Sequence, residues 1–227
     1  MIKLHCISTG SLGNMYILDA NGHQLLIELG VDYNTFLLNI DTISKIEGCI
    51  LSHSHGDHLD KKMANKIQEC RIPIISLKNS QIGKKYRLGA FDIIPLPAKH
   101  NVECRAYLIR VGNKWIMFAT DTQVLPKVNV KVDYFIVEIN YINRIREEMI
   151  LKDEENERHF TGLFFNHHSL ERAIDYFGEL SYKAKGIYTI HKSNSGLFNE
   201  EEVKYVLQPF AEDVQVIKNK SFYVLEK

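Results

Sequence analysis

The chain has 227 residues, with 28 Lys and Arg against 28 Asp and Glu and 45% hydrophobic side chains. That length and apolar share suffice for one large core, so a single domain over 1–227 is expected. The cancelled charge excludes a global field that would draw the chain onto a long polyanion or a membrane. Cys6, Cys49, Cys70 and Cys104 form no CxxC pair, no apolar run reaches the length of a membrane span, and no charged start leads into a long apolar block. The expectation is a cytoplasmic protein with reduced thiols.

In chain order, short strands are predicted at 2–8, 15–19 and, after the Asn21-Gly22 turn, 24–29. The apolar run 48–52 reads as a buried strand. Asp60 is placed to cap a helix to about 69, with Met63 and Ile67 on one face. Strands follow at 91–95, 104–111, 114–119 and 134–139, helices at 142–152, 169–180 and 199–209, and strands at 186–190, 214–217 and 221–225. The polar stretch KDEENER, 152–158, is expected to be a mobile loop. Strands and helices recur in both halves without a Pro/Gly/Ser-rich linker, which implies layered α/β packing.

Directly after the buried strand stands LSHSHGDHLD, residues 51–60, with His53, His55, Asp57 and His58 inside six positions. In HxHxDH spacing, alternate residues turn to one side and the next pair to another, which makes two metal positions. Imidazole nitrogen with carboxylate oxygen suits zinc, and an open coordination position admits water. A solvated polar loop is the usual fate of one histidine, but a poor account of four such residues after a buried strand.

This pattern resembles the metallo-β-lactamase fold superfamily. Later segments continue the likeness in the family's order: LPAKHN carries His100, MFATDT carries Asp121 and IYTIHKSN carries His191. The resemblance implies an αββα sandwich with two metals at one edge of facing sheets. His53, His55 and His100 would hold one ion, Asp57, His58 and His191 the other, and Asp121 would bridge. Two divalent ions, zinc first and manganese second, lower the pKa of water and hold an oxyanion, so the implied chemistry is hydrolysis. His55 stands where the flavodiiron branch usually has Glu, which favours hydrolysis over iron redox chemistry. Exported β-lactamases need a signal that is not seen here, and the C-terminal region of glyoxalase II-like thioesterases finds no match.

Smaller motifs point to the phosphodiesterase branch. STGSLGN at 8–14 is similar to the GSGSKGN opening of YycJ-like proteins, EIN at 138–140 to their ExN, HHSLERA at 167–173 to their HLSNExA, and HKSN at 191–194 to a second HxS element. On that match His167 takes the place of the family histidine, with His168 its neighbour. Either imidazole could protonate the departing alkoxide, and Asp57 could orient the attacking water. Tyr141 and Asn194 are candidates for substrate contact. Glu28, in ELG where related sequences carry Asp, is a candidate partner behind a metal-binding histidine. The basic run KKYR at 84–87 reads as a solvated turn more readily than as a phosphate site. Without the inserted arm of ribonuclease Z, the chain looks like the compact phage anti-Pycsar proteins. That likeness implies hydrolysis of 3′,5′-cyclic nucleotides such as cyclic CMP and cyclic UMP, a homodimer, and work in a host cytoplasm. A YycJ-like or ribonuclease Z-like nuclease and a non-catalytic nucleotide sponge are the alternatives.

Overall fold

A computed structural model describes the backbone of residues 1–152 and 157–227 and the side chains of 1–152 and 161–227. Its strands are β1 (Ile2–Ser8), β2 (Met15–Ala20), β3 (His23–Ile27), β4 (Ile46–Ile50), β5 (Ile74–Ile75), β6 (Tyr86–Leu88), β7 (Phe91–Ala98), β8 (Cys104–Val111), β9 (Lys114–Ala119), β10 (Tyr134–Glu138), β11 (Ala184–Ile190), β12 (Ala211–Val216) and β13 (Ser221–Glu226). The helices are α1 (Tyr33–Leu37), α2 (Lys61–Glu69), α3 (Asn143–Lys152), α4 (Glu157–Asn166), α5 (Leu170–Gly178) and α6 (Glu200–Leu207).

Two sheets form, in the orders β13-β1-β2-β3-β4-β5 and β12-β11-β10-β9-β8-β7-β6. In each, an antiparallel meander passes into parallel strands: β3 with β4 and β5 in the first, β9 with β10 and β11 in the second. Period-two alternation explains the layers. In β10, Tyr134 and Ile136 turn into the core between the sheets, among Leu18, Ile27, Tyr107 and Phe118, whereas Phe135 and Val137 turn outward. Because both faces are covered, that strand is buried throughout and apolar from Tyr134 to Val137 instead of alternating, with Glu138 at its end.

The outward face of the second sheet packs on Leu170, Ala173 and Phe177 of α5 and on Val203 and Leu207 of α6. The outward face of the first sheet packs on Phe36 of α1 and on Met63 and Ile67 of α2. The stack is α, β, β, α, which is the expected fold class. Asp60 caps α2, accepting from the Met63 amide at 2.6 Å, and Ser169 caps α5.

The sequence did not announce α4: Gly162 and the adjacent Phe164 and Phe165 obscure a helical period. Of the expected loop 152–158, Lys152 ends α3 and Glu157 opens α4, and residues 153–156 lie outside the described residues. The directions of pairing place the C-terminal ends of β1, β3, β4, β7, β9, β10 and β11 along one edge of the sandwich, where the histidine-bearing segments emerge.

Candidate metal centre

Three strand ends turn sharply at this edge. Glu28 after β3, Asp121 after β9 and His191 after β11 have φ of 64°, 46° and 52°, a left-handed conformation costly for residues with a Cβ. Each turn aims a polar side chain at the same point. The loop after β4 is clamped by its backbone. The Asn14 amide donates to the Asp57 carbonyl at 2.7 Å, the Gly30 amide to the Asn14 carbonyl at 2.9 Å, and the Leu29 amide to the His58 carbonyl at 2.9 Å. At Gly30 a Cβ would stand 1.8 Å from the Asp57 carbonyl oxygen, so only glycine permits that approach.

Four groups of ligand-type side chains result: His53, His55 and His100; Asp57, His58 and His191; His53, His58 and Asp121; and Asp121, Glu138, His167 and His191, the ligand atoms in each lying within 4.8 Å of one another. In the first group, His55 Nδ1 faces His53 Nε2 at 3.0 Å and His100 Nε2 at 3.4 Å. The outer nitrogens are held from behind. His100 Nδ1 donates to the Asn166 carbonyl at 3.0 Å, and His53 Nδ1 lies 2.8 Å from Ser52 Oγ. In the second group, His191 Nε2 lies 3.4 Å and His58 Nε2 3.3 Å from Asp57 Oδ2. Asp121 stands between the groups, 2.9 Å from His58 Nε2, its Oδ2 accepting from Thr120 Oγ1 at 2.7 Å.

The electrostatics differ across the cluster. Burial pulls His53 down to about 3, and burial also lowers His100. On the other side burial opposes charge on His191, yet Asp121, Asp57 and Glu138 outweigh it and push the ring up to about 10. His58 is raised in the same way, burial being overcome by Asp121 and Asp57. The carboxylates answer with the opposite shift. Burial would raise Glu138, but its pairing with His167 and His191 brings it down to about 2, and Asp121 is held well below its usual range by His191 and His58 despite burial.

The donor set fits a pair of cations. His58 Nε2 faces a donor, Asn14 Nδ2 at 3.0 Å, and the carboxylates of Asp57 and Asp121 at once, while its Nδ1 stands 3.5 Å from Glu28 Oε2 without a hydrogen bond. One proton cannot serve all of these contacts. A cation among the nitrogens and oxygens can, and imidazole with carboxylate is a zinc-type set.

The structure thus brings together His53, His55, Asp57, His58, His100, Asp121, His167 and His191. It separates the others. His168 is 1% exposed, its Nδ1 donates to the Gln123 carbonyl at 3.1 Å, and burial pulls its pKa down to about 4. Tyr141 is fully buried against Leu197 and beneath the Arg146 guanidinium, so its ring is packing. Asn194 is exposed and reaches Ser11 Oγ at 3.4 Å. In the run 84–87, Arg87 pairs with Asp92 at 2.8 Å in β6.

Two contributors carried no role in the sequence reading. Glu138 accepts from His167 Nδ1 at 2.6 Å and from His191 Nδ1 at 3.0 Å, and Asn14 binds His58 and Asp57. The EIN and STGSLGN motifs were their only signal.

Among solved structures, the metallo-β-lactamase fold protein YhfI from Bacillus subtilis superposes with a TM-score of 0.72 at 17% identity over 98% of each chain. The chain has the metallo-β-lactamase fold. A diphosphatase of the PhnP family gives a TM-score of 0.63 at 14% identity, covering 100% of this chain and 98% of its own. The short form of human tRNase Z gives 0.64 at 11% identity, covering 99% of this chain and 100% of its own. No protein-family model matches the sequence, and no curated protein does. No helix among the described residues is long and apolar enough to cross a membrane.

Proposed function

We propose that this chain is a metal-dependent phosphodiesterase that opens 3′,5′-cyclic nucleotides, such as cyclic CMP and cyclic UMP, to linear monophosphates, in the manner of the compact phage anti-Pycsar proteins that the chain as a whole resembles. One observation carries the reading: at one edge of a metallo-β-lactamase fold His53, His55 and His100 gather in one ligand set and Asp57, His58 and His191 in another, with Asp121 2.9 Å from His58 Nε2 and the Glu138–His167 pair beside them. Similarity to a diphosphatase and to a tRNase supports phosphate-ester chemistry. The balanced charge, 28 against 28, suits a small diester better than a long polyanion.

His53, His55 and His100 would hold one ion, Asp57, His58 and His191 the other, and Asp121 would reach both. Bound there, zinc or manganese supplies an ionised water near neutral pH and positive charge for the phosphoryl oxygens. His167 hands a proton to the departing 3′ oxygen. Glu138 holds its Nδ1, which leaves Nε2 as the exchanging atom, and although burial opposes charge, Glu138 and Asp121 raise its pKa and keep the ring loaded. Asp57, with 24% of its side chain exposed, orients the attacking water by accepting its hydrogen bond. The apolar side chains Leu12, 93% exposed, and Phe165, 58% exposed, stand in the segments that carry Asn14 and Asn166 and suit the cover of a second copy in a homodimer.

The second reading is a YycJ-like or ribonuclease Z-like nuclease, favoured by the tRNase Z likeness over nearly the whole chain. Purified protein with zinc or manganese, assayed on cyclic mononucleotides and on labelled single-stranded DNA and RNA, separates the two. Rapid opening of cyclic CMP with intact polymers supports the first; shortening of strands with intact cyclic substrates replaces it with the second.

A further inference from the structure

The turn between α4 and α5 carries two groups that the metal centre uses. His100 Nδ1 donates to the Asn166 carbonyl at 3.0 Å, and His167 Nδ1 donates to Glu138 Oε1 at 2.6 Å. The turn cannot hold itself in place, because the last carbonyls of a helix have no partner in a following turn. Only the Leu163 carbonyl is met from the turn itself, by the His167 amide at 2.9 Å. The others depend on donors from outside α4.

One side chain meets most of that need. Arg172, in the first turn of α5, donates from Nη1 to the Phe164 carbonyl at 2.8 Å and to the His167 carbonyl at 3.0 Å. Those two carbonyls bracket Asn166. Gln123 Nε2 adds a longer bond to the Phe164 carbonyl, at 3.4 Å. The Arg172 guanidinium also stands 4.3 Å from the centre of the Phe164 ring, and that of Arg146 5.0 Å from it, so the same ring is held by two cations. In the first turn of α5 a positive charge opposes that helix's own dipole, whereas at the C-terminal carbonyls of α4 it is favourable. The placement therefore serves α4. Arg172 fills the unspecified position of the HHSLERA motif, 167–173.

We propose that Arg172 is a positioning residue: by tying the Phe164 and His167 carbonyls together it holds the Asn166 carbonyl where His100 Nδ1 meets it, and so keeps His100 Nε2 turned toward His55. A carbonyl that fixes one nitrogen of a metal-binding imidazole sets the direction of the other. The consequence for metal binding rests on the hydrolase reading; the orientation of His100 does not.

The test begins with metal-free protein, so that neither ion nor substrate enters. Arg172→Met keeps the aliphatic stem and removes both donors. In that variant the His100 Nδ1 proton, followed by ¹H–¹⁵N spectroscopy, should exchange with water about tenfold faster, while the β10 amides keep their protection and the thermal unfolding midpoint stays within a few degrees. Competition with a chromophoric chelator then reads the consequence. Affinity for one of two zinc equivalents should fall about tenfold. Arg172→Lys should recover part of both effects, since an ammonium restores the charge but not the stacking on Phe164. If Arg172→Met does not fold, Arg172→Lys takes its place, with the same readings at smaller size. Unchanged exchange of the His100 proton in a folded variant overturns the proposal. Equal acceleration of the β10 amides also overturns it, making Arg172 a general support of the fold. Faster exchange at His100 alone, in a protein whose unaltered form binds no zinc, supports the positioning role and removes the hydrolase reading instead.

Discussion

The two sides of the metal centre are built from different chemistry. His53, His55 and His100 present ring nitrogens to one another at 3.0 and 3.4 Å, and burial lowers the pKa of His53 and His100. His58, His167 and His191 stand among Asp57, Asp121 and Glu138 and are shifted upward. Residue type alone does not set the behaviour of an imidazole here. The difference lies in the carboxylates that strand ends deliver: Asp121 after β9, Glu138 at the end of β10 and Glu28 after β3 stand beside His58, His167 or His191.

The sharpest way to break this comparison is to remove the side chain that both sides share. Asp121→Asn should cost on the order of 10³ in turnover of the phosphodiester substrate, with elemental analysis showing that bound metal falls; unchanged metal content would separate Asp121 from the ligand set. Chelation of the unaltered protein should abolish the same activity, and zinc should restore it. Next in size, His167→Gln should lower kcat on the order of 10² and remove the alkaline limb of the pH–rate profile while leaving metal content intact. A lost metal would instead make His167 a ligand. Glu138 acts by positioning His167 and His191, so Glu138→Gln should cost about tenfold to a hundredfold. It should also shift the alkaline limb downward, a change that a merely structural loss would not produce.

The smallest effect is expected away from the edge. Glu226 closes β13 onto the core through Tyr134, Lys114 and Lys185, and the hydrogen bond from Tyr134, the largest effect, together with the two lysines lowers its pKa from 4.5 to about 2 although burial opposes the shift. A depressed carboxylate pKa stabilises the fold above pH 4.5 and loses that contribution as pH falls from there toward 2. With 30% of the side chain exposed, solvent screens the pairs. Glu226→Gln should therefore flatten the acid limb of the unfolding midpoint in that window and change it by only a degree or two at pH 7.

Much of this centre was legible one segment at a time. HxHxDH follows a buried strand, so its four side chains converge by local geometry, and Met63 and Ile67 lie on the buried face that the periodicity of α2 indicated. The second half was less legible because its parts lie far apart: Glu138 is 53 positions from His191 and 29 from His167. Tyr141 shows the same limit from the other side. Beside the Glu138 strand end it read as a substrate contact, but the chain folds over it and Leu197 and Arg146 cover its ring. Helix α4 escaped notice for want of a clean period.

The order and type of the main elements, the presence of a histidine–carboxylate ligand set and the balanced charge followed from the sequence by itself, because strand alternation, helix capping and close ligand spacing are short-range properties. Which imidazoles meet carboxylates, which of two adjacent histidines faces the metal edge, and whether a tyrosine at a strand end reaches solvent were decided only when the two sheets stacked. Those outcomes depend on strand ends that pairing across the whole chain brings to one edge, and no local pattern encodes that convergence.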